Sequence, residues 1–155
     1  GLIACCILYA CKKHKVPRSI KEIASICDID AKTVNSSHKI FRDIMQQHID
    51  PALFDESINV EDLVSRYCTY LNFNRNETQT IKKRVVIMNE IINDHHLFVG
   101  KTPSAITAGC IIFVTELLTI QLSKTYLSQK LDVSMVTLNK ILRTIENNNT
   151  LFQFD

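Results

Sequence analysis

Glycine and proline are scarce in this chain, with 3 of each in 155 residues. β-Sandwiches and barrels need turn residues about every 8–12 positions, so these folds are excluded, as are collagen-like chains. Charge imbalance is missing too: the formal net charge is +2, and 46% of residues are hydrophobic, which excludes a disordered chain. No secretory signal is evident. The apolar stretch 1–11 is too short to span a bilayer, and the run 105–122 carries Glu116 and Gln121, as a buried helix would. No C-x-x-C pair occurs among Cys5, Cys6, Cys11, Cys27, Cys68 and Cys110, so neither a zinc ribbon nor a dithiol redox motif is expected. These cysteines mostly lie in apolar runs and are expected to be buried and free, as in the cytosol or nucleus.

What remains is a mostly helical chain, large enough for one ordinary domain or two small ones. Its charge is graded. Residues 1–52 hold 8 Lys/Arg against 5 Asp/Glu, residues 53–103 hold 6 against 7, and residues 104–155 hold 4 against 4. Any nucleic-acid binding must therefore come from local clusters.

Helix signals follow one another along the chain. An apolar helix over 1–14 ends in Lys12-Lys13-His14, and Pro17 blocks its continuation. Ser19 and Glu22 form a capping box for a short helix to Cys27, and Asp30 caps a longer one to His48. Asp50-Pro51 and a linker with Asp55, Glu56 and Ser57 follow. Asn59 caps a helix to Leu71, and Asn76-Glu77 opens another that ends near His95-His96. Gly100 is a plausible stop. Thr102 and Pro103 start an apolar helix to Thr119, followed by helices over 123–131 and 134–147. The tail 150–154 is the one strand candidate.

Shifted by 104 residues, the chain falls on itself without gaps. Ala4, Cys6 and Ile7 meet Ala108, Cys110 and Ile111; Ser19 meets Ser123; Asp28, Thr33 and Asn35 meet Asp132, Thr137 and Asn139. The order of caps, turn and helices agrees as well, which points to a duplication. The second copy has two more helices in front of it.

The helix over 134–147 has two faces. Leu138, Ile141, Leu142 and Ile145 are spaced for burial, and Val136, Asn139, Lys140 and Arg143 fall opposite. With the short helix before it, this reads as helix-turn-helix, whose second helix would lie in a major groove. Lys124, Lys130, Lys140 and Arg143 would then hold phosphates. Packing alone is the competing reason for the same two helices. In the first copy the matching stripe is Lys32, Asn35, Ser36 and Lys39. Lys82-Lys83-Arg84 spans most of a helical turn and cannot form one stripe. Of the histidines, His38 shares the buried spacing of Val34, Phe41 and Met45, and His95 and His96 point about 100° apart. Neither a metal site nor a Cys–His nucleophile is expected.

The segment from Gly1 to Cys11, followed by Val16-Pro17-Arg18-Ser19-Ile20-Lys21-Glu22-Ile23, resembles the first cyclin-like repeat of the transcription factor IIB family, in which an apolar "CLYIAC" helix precedes "VPRTFKEI". Gly100–Ile106 is similar to that family's "GRSPxxIAAA" and Asp132–Leu138 to its "GVADVTI". Arg66-Tyr67-Cys68 with Leu71 is similar to "SRFCSNL". The resemblance implies an all-α chain of cyclin-like repeats. One would be partial, with three helices plus linker over 1–55, and one complete, with five helices over 56–155. The chain would then be a C-terminal fragment of the whole factor, without its zinc ribbon.

The resemblance further implies a non-enzymatic core without cofactor that binds a TATA-binding protein and promoter DNA and helps recruit RNA polymerase. Lys12 and Lys32 stand where the family faces the acidic edge of the TATA-binding protein. Val136 matches a DNA-reading Val. Asn139 stands where the family has Arg, so its base preference is put in question. That departure and the cysteine content suggest a divergent, virus-like lineage, for which the cytoplasm is the expected place. The rival reading is a cyclin-like kinase-binding adaptor that never touches DNA. The helix over 1–14, apolar nearly all round, is expected to need cover from a second copy or from altered packing.

Overall fold

The computed structural model describes residues 1–48, 50 and 59–154. The chain divides into two compact units, Gly1–Ile58 and Asn59–Asp155. The first holds α1 (Leu2–Lys13), α2 (Ile20–Ile26) and α3 (Ala31–Met45). The second holds α4 (Val60–Tyr70), α5 (Arg75–Asp94), α6 (Pro103–Leu117), α7 (Lys124–Lys130) and α8 (Met135–Asn147). The described residues contain no strand, so the architecture is all-α and consistent with a cyclin-like helical-repeat fold. The tail departs from the expected strand. Asn149–Leu151 is a 3-10 turn, and Phe152 is buried edge-on to Phe113 of α6, with ring centroids 6.2 Å apart. No neighbouring strand offers the tail a hydrogen-bonding edge, and burying Phe152 secures it instead.

Side-chain caps set the helix starts. Ser19 accepts from the Glu22 amide at 3.2 Å, while Glu22 accepts from the Ser19 amide at 2.8 Å. Asn59, Thr102, Ser123 and Ser134 each accept from an amide in the first turn of the helix that follows. The start of α5 lies earlier than expected. Asn74, not Asn76, is the cap, because Glu77 sits three residues after it and completes a capping box with both bonds at 2.9 Å.

The helix ends follow a rule that glycine does not reveal. Lys15, Asp28, Asn72, His96, Thr119 and Asp132 all have φ between 50° and 59°. In each case the next residue is apolar (Val16, Ile29, Phe73, Leu97, Ile120 or Val133) and its amide donates to the carbonyl five residues back. This is the Schellman closure, with non-glycine residues in the left-handed position. It stops α5 at Asp94 and α6 at Leu117, slightly short of the expected ends. α3 also stops early, at Met45, and Gln46–His48 is a turn. Pro51 and the linker residues Asp55, Glu56 and Ser57 lie outside the described residues, as does the expected boundary at 55/56.

The shift of 104 recurs in the backbone. α2 (Ile20–Ile26) maps onto α7 (Lys124–Lys130) at both ends, α1 and α6 end at the matching Lys13 and Leu117, and α3 and α8 begin at the matching Ala31 and Met135. The left-handed residues Lys15 and Asp28 map onto Thr119 and Asp132. Cover differs between the two copies. α6 packs against α4, α5 and α8, and its residues from Thr107 to Ile112 are all buried. α1 packs against α2 and α3 alone in its unit. Ile3 is 77% exposed where the matching Thr107 is 1% exposed, and Cys6 is exposed where Cys110 is buried.

Candidate nucleic-acid interface

α7, the turn after it and α8 form a rigid corner. Leu131 ends α7, and Asp132 takes the left-handed conformation. The Val133 amide then donates to the Ser128 carbonyl at 3.1 Å, and the Ser128 hydroxyl donates to the Val133 carbonyl at 2.7 Å. Ser134 caps α8 by accepting from the Thr137 amide at 3.2 Å. Leu127, Leu138, Ile141, Leu142 and Ile145 are buried and fix both helices to the core of their unit. The opposite face of α8 is solvent-exposed and carries Val136, Asn139, Lys140 and Arg143 together.

The two lysines of α7 are placed differently. Lys124 forms an ion pair with Glu116 at 3.1 Å, so its charge is already partly met. Lys130 is exposed and lies 5.8 Å from the centre of the Tyr126 ring. The basic run on α5 is dispersed, as its spacing required. Lys82 pairs with Glu61 at 3.4 Å, Arg84 sits 5.3 Å over the Phe154 ring, and Lys83 points to solvent.

In the first unit Lys32 is exposed in the first turn of α3, and Lys12 is half-buried in the last turn of α1. Asn35, Ser36 and Lys39 are exposed beside Lys32, and the Ser36 hydroxyl donates to the Lys32 carbonyl at 2.9 Å. His38 sits on the inner side of α3. Its Nε2 lies 2.8 Å from the Tyr9 hydroxyl, and their rings stack.

The cysteines divide into two groups. Cys5, Cys68 and Cys110 are buried, and burial pushes the thiol of Cys68 up to about 11 and that of Cys110 up to about 12. Cys6 is exposed and Cys11 and Cys27 are half-buried, contrary to the expectation of general burial. For Cys6 the reason is the open face of α1. Among the described residues no group of three His, Cys, Asp or Glu side chains could hold a metal ion. Nor is any helix there long and apolar enough to cross a membrane.

The Lys124–Glu116 pair and the Arg84–Phe154 stack join residues that lie apart in the sequence. In each, the partner is set by how the helices pack, and no local pattern marks it.

Comparison with known proteins gives a consistent relationship. The family pattern described as "Transcription factor TFIIB repeat" matches residues 1–44. A transcription initiation factor IIB-like protein of Acanthamoeba polyphaga mimivirus is 32% identical over 153 residues, covering 94% of this chain and 31% of that protein. Transcription initiation factor IIB of Dictyostelium discoideum is 25% identical over 145 residues, covering 94% of this chain and 42% of that protein. Transcription initiation factor IIB 1 of Thermoplasma volcanium is 28% identical over 119 residues, covering 77% of this chain and 35% of that protein. The chain is thus distantly similar to transcription factor IIB proteins, and it spans less than half the length of these curated relatives.

Proposed function

We propose that this chain is the cyclin-like core of a transcription-initiation factor of the IIB type, with one partial repeat in residues 1–55 and one complete repeat in residues 56–155. It binds a TATA-binding protein and promoter DNA and helps to recruit RNA polymerase, and its role is non-enzymatic. The observation that carries this reading is the match to initiation factors over 94% of the chain. The α7–α8 corner agrees with it, since it presents a basic, uncovered helix face of the kind that enters a major groove.

In this reading Lys140 and Arg143 hold phosphates, with Lys130 beside them, while Val136 and Asn139 face base edges. Lys124 contributes less, because its ammonium group is already paired with Glu116. Lys12 and Lys32 meet an acidic edge of the TATA-binding protein, and complementary charge there favours fast and specific docking. DNA alone is bound weakly, since few phosphates are neutralised.

A gel-shift assay with the full-length protein, a TATA-binding protein and a TATA-containing duplex tests the assignment. A slower-migrating ternary complex is expected, weakened by Lys12→Glu and by Lys32→Glu. Absence of that complex, or co-purification with a kinase in its place, would overturn the proposal.

A further inference from the structure

The exposed face of α8 offers more than positive charge. Val136 is 65% exposed, although the other apolar side chains of the helix are buried or, for Met135, half-buried. One turn later Asn139 is exposed, and its carboxamide makes no hydrogen bond among the described residues. Lys140 and Arg143 flank the pair. The one acid on α8, Glu146, lies near its C-terminal end and lines a cleft with Arg84, Phe113 and Phe152. An open methyl surface and an open amide thus stand side by side on a cationic face.

The spacing suits a base-pair ladder. An α-helix rises about 1.5 Å per residue, so Val136 and Asn139 lie about 4.5 Å apart along the axis. Successive base pairs are separated by about 3.4 Å. In a major groove the two side chains therefore meet neighbouring pairs. A carboxamide has one acceptor oxygen and an NH2 donor, which match the N6–H donor and N7 acceptor of adenine. Guanine presents two acceptors, N7 and O6, so the amide oxygen would face O6 with no proton between them. The isopropyl group of Val136 can bond to no base edge, but it can pack on the C5-methyl of thymine.

Resting on the DNA-binding reading above, we infer that α8 selects A·T pairs: Asn139 reads an adenine through N6 and N7, and Val136 reads the methyl group of a thymine in the adjacent pair. The α3 face carries Asn35 at the matching register, but Lys32 stands in the place of Val136, so α3 lacks the methyl-reading half.

The test uses the full-length protein and a duplex library with a randomised block at low salt, alone and beside a bound TATA-binding protein. The expected result is enrichment of adenine at one position with thymine in the neighbouring pair. Asn139→Ala flattens the first preference, and Asn139→Arg moves it to guanine. Replacing the selected adenine by 7-deazaadenine, which lacks N7, weakens wild type about tenfold and leaves Asn139→Ala unaffected. Replacing the selected thymine by deoxyuridine weakens wild type and leaves Val136→Ala unaffected. Intact DNA binding with a guanine preference, no preference, or no response to 7-deazaadenine would overturn the inference and leave the proposed function standing. Failure of wild type to bind any duplex, with or without the TATA-binding protein, would overturn both.

Discussion

Gly109 of α6 lies directly against Ile141 of α8: a Cβ at Gly109 would run into the Ile141 Cγ2 and would sit 3.2 Å from its Cβ. Gly109 therefore sets how closely these two central helices approach. Both residues are buried, so little slack exists around them. Gly109→Ala gains about 1 kcal/mol of helix propensity. Overpacking costs about 1–3 kcal/mol, and with both helices held in the core this term wins. A net loss of about 1 kcal/mol is expected in thermal or urea unfolding. In an Ile141→Ala background the overpacking cost disappears, so the same substitution becomes neutral or stabilising. Additive behaviour of the two substitutions would show that the contact does not limit the packing.

Thr119 closes α6 with φ at 56°. A β-branched residue in the left-handed region is strained by roughly 1 kcal/mol or more. Its hydroxyl donates to the Leu118 carbonyl at 2.7 Å, an exposed bond that water can replace. Thr119→Gly is expected to stabilise the second unit by about 0.5–1 kcal/mol, offset in part by the freedom glycine adds to the unfolded chain. A higher melting temperature is the readout. Thr119→Val, which keeps the branch and so the strain, should not raise it.

Tyr9 stacks between His38 and Phe41, with ring centroids 5.4 Å and 4.9 Å away, and its hydroxyl meets His38 Nε2 at 2.8 Å. The matching residue in the second copy is Phe113, so this position accommodates a ring without a hydroxyl. Tyr9→Phe should cost about 1 kcal/mol, the usual net worth of one hydrogen bond. Tyr9→Ala removes the stacked ring and should cost about 3–5 kcal/mol. Equal losses in melting experiments would mean that the hydroxyl and not the ring holds α1 to α3.

Much of the fold is legible because the deciding partners are close in sequence. Ser19 with Glu22, Thr102 with Pro103, and Ser134 before an amphipathic run all act within one turn. The duplication is legible for the same reason, since it repeats caps and turns in register. Helix ends are harder to read. Lys15 and Thr119 show no preference for the left-handed conformation, and what closes these ends is the bond from the next residue's amide to the carbonyl five residues back. The exposed face of α8 follows from periodicity alone. Which of its neighbouring cations is already engaged does not, because the Glu116–Lys124 pair forms across the α6–α7 connection. Exposure of Cys6 was likewise hidden, since it depends on which helices cover α1.

Cys68 and Cys110 make stability depend on alkaline pH. An unfolded thiol titrates near 9.0, while burial holds these two at about 11 and about 12. Below about pH 8 both states keep the proton and the thiols add no pH dependence. Above 9.0 the unfolded chain loses the proton while the folded chain retains it, so stability falls as pH rises towards the folded values. The slope is up to about 1.4 kcal/mol per pH unit for each thiol. Urea midpoints from about pH 8 to about pH 10.5 should fall more steeply in wild type than in Cys110→Ala. At neutral pH, alkylation should label Cys6 first and reach Cys68 and Cys110 only on unfolding.

Lys140 and Arg143 differ from Lys124 in what each cation already touches. The first two are exposed on α8, and Lys124 is bound to Glu116 at 3.1 Å. A cation that gains a phosphate while losing an existing partner gives back part of the gain. Each phosphate contact contributes about 0.9 to the slope of log affinity against log salt. Lys140→Ala and Arg143→Ala should each lower that slope by about one and weaken all duplexes alike. Lys124→Ala should change it by less than half as much. Glu116→Gln frees Lys124 and should raise both the affinity and the slope. Binding isotherms at several salt concentrations, in the presence of a TATA-binding protein, measure all four variants. If Lys124→Ala proves as costly as Lys140→Ala, the DNA backbone runs along α7 as closely as along α8, and Glu116 then has to release its lysine on binding.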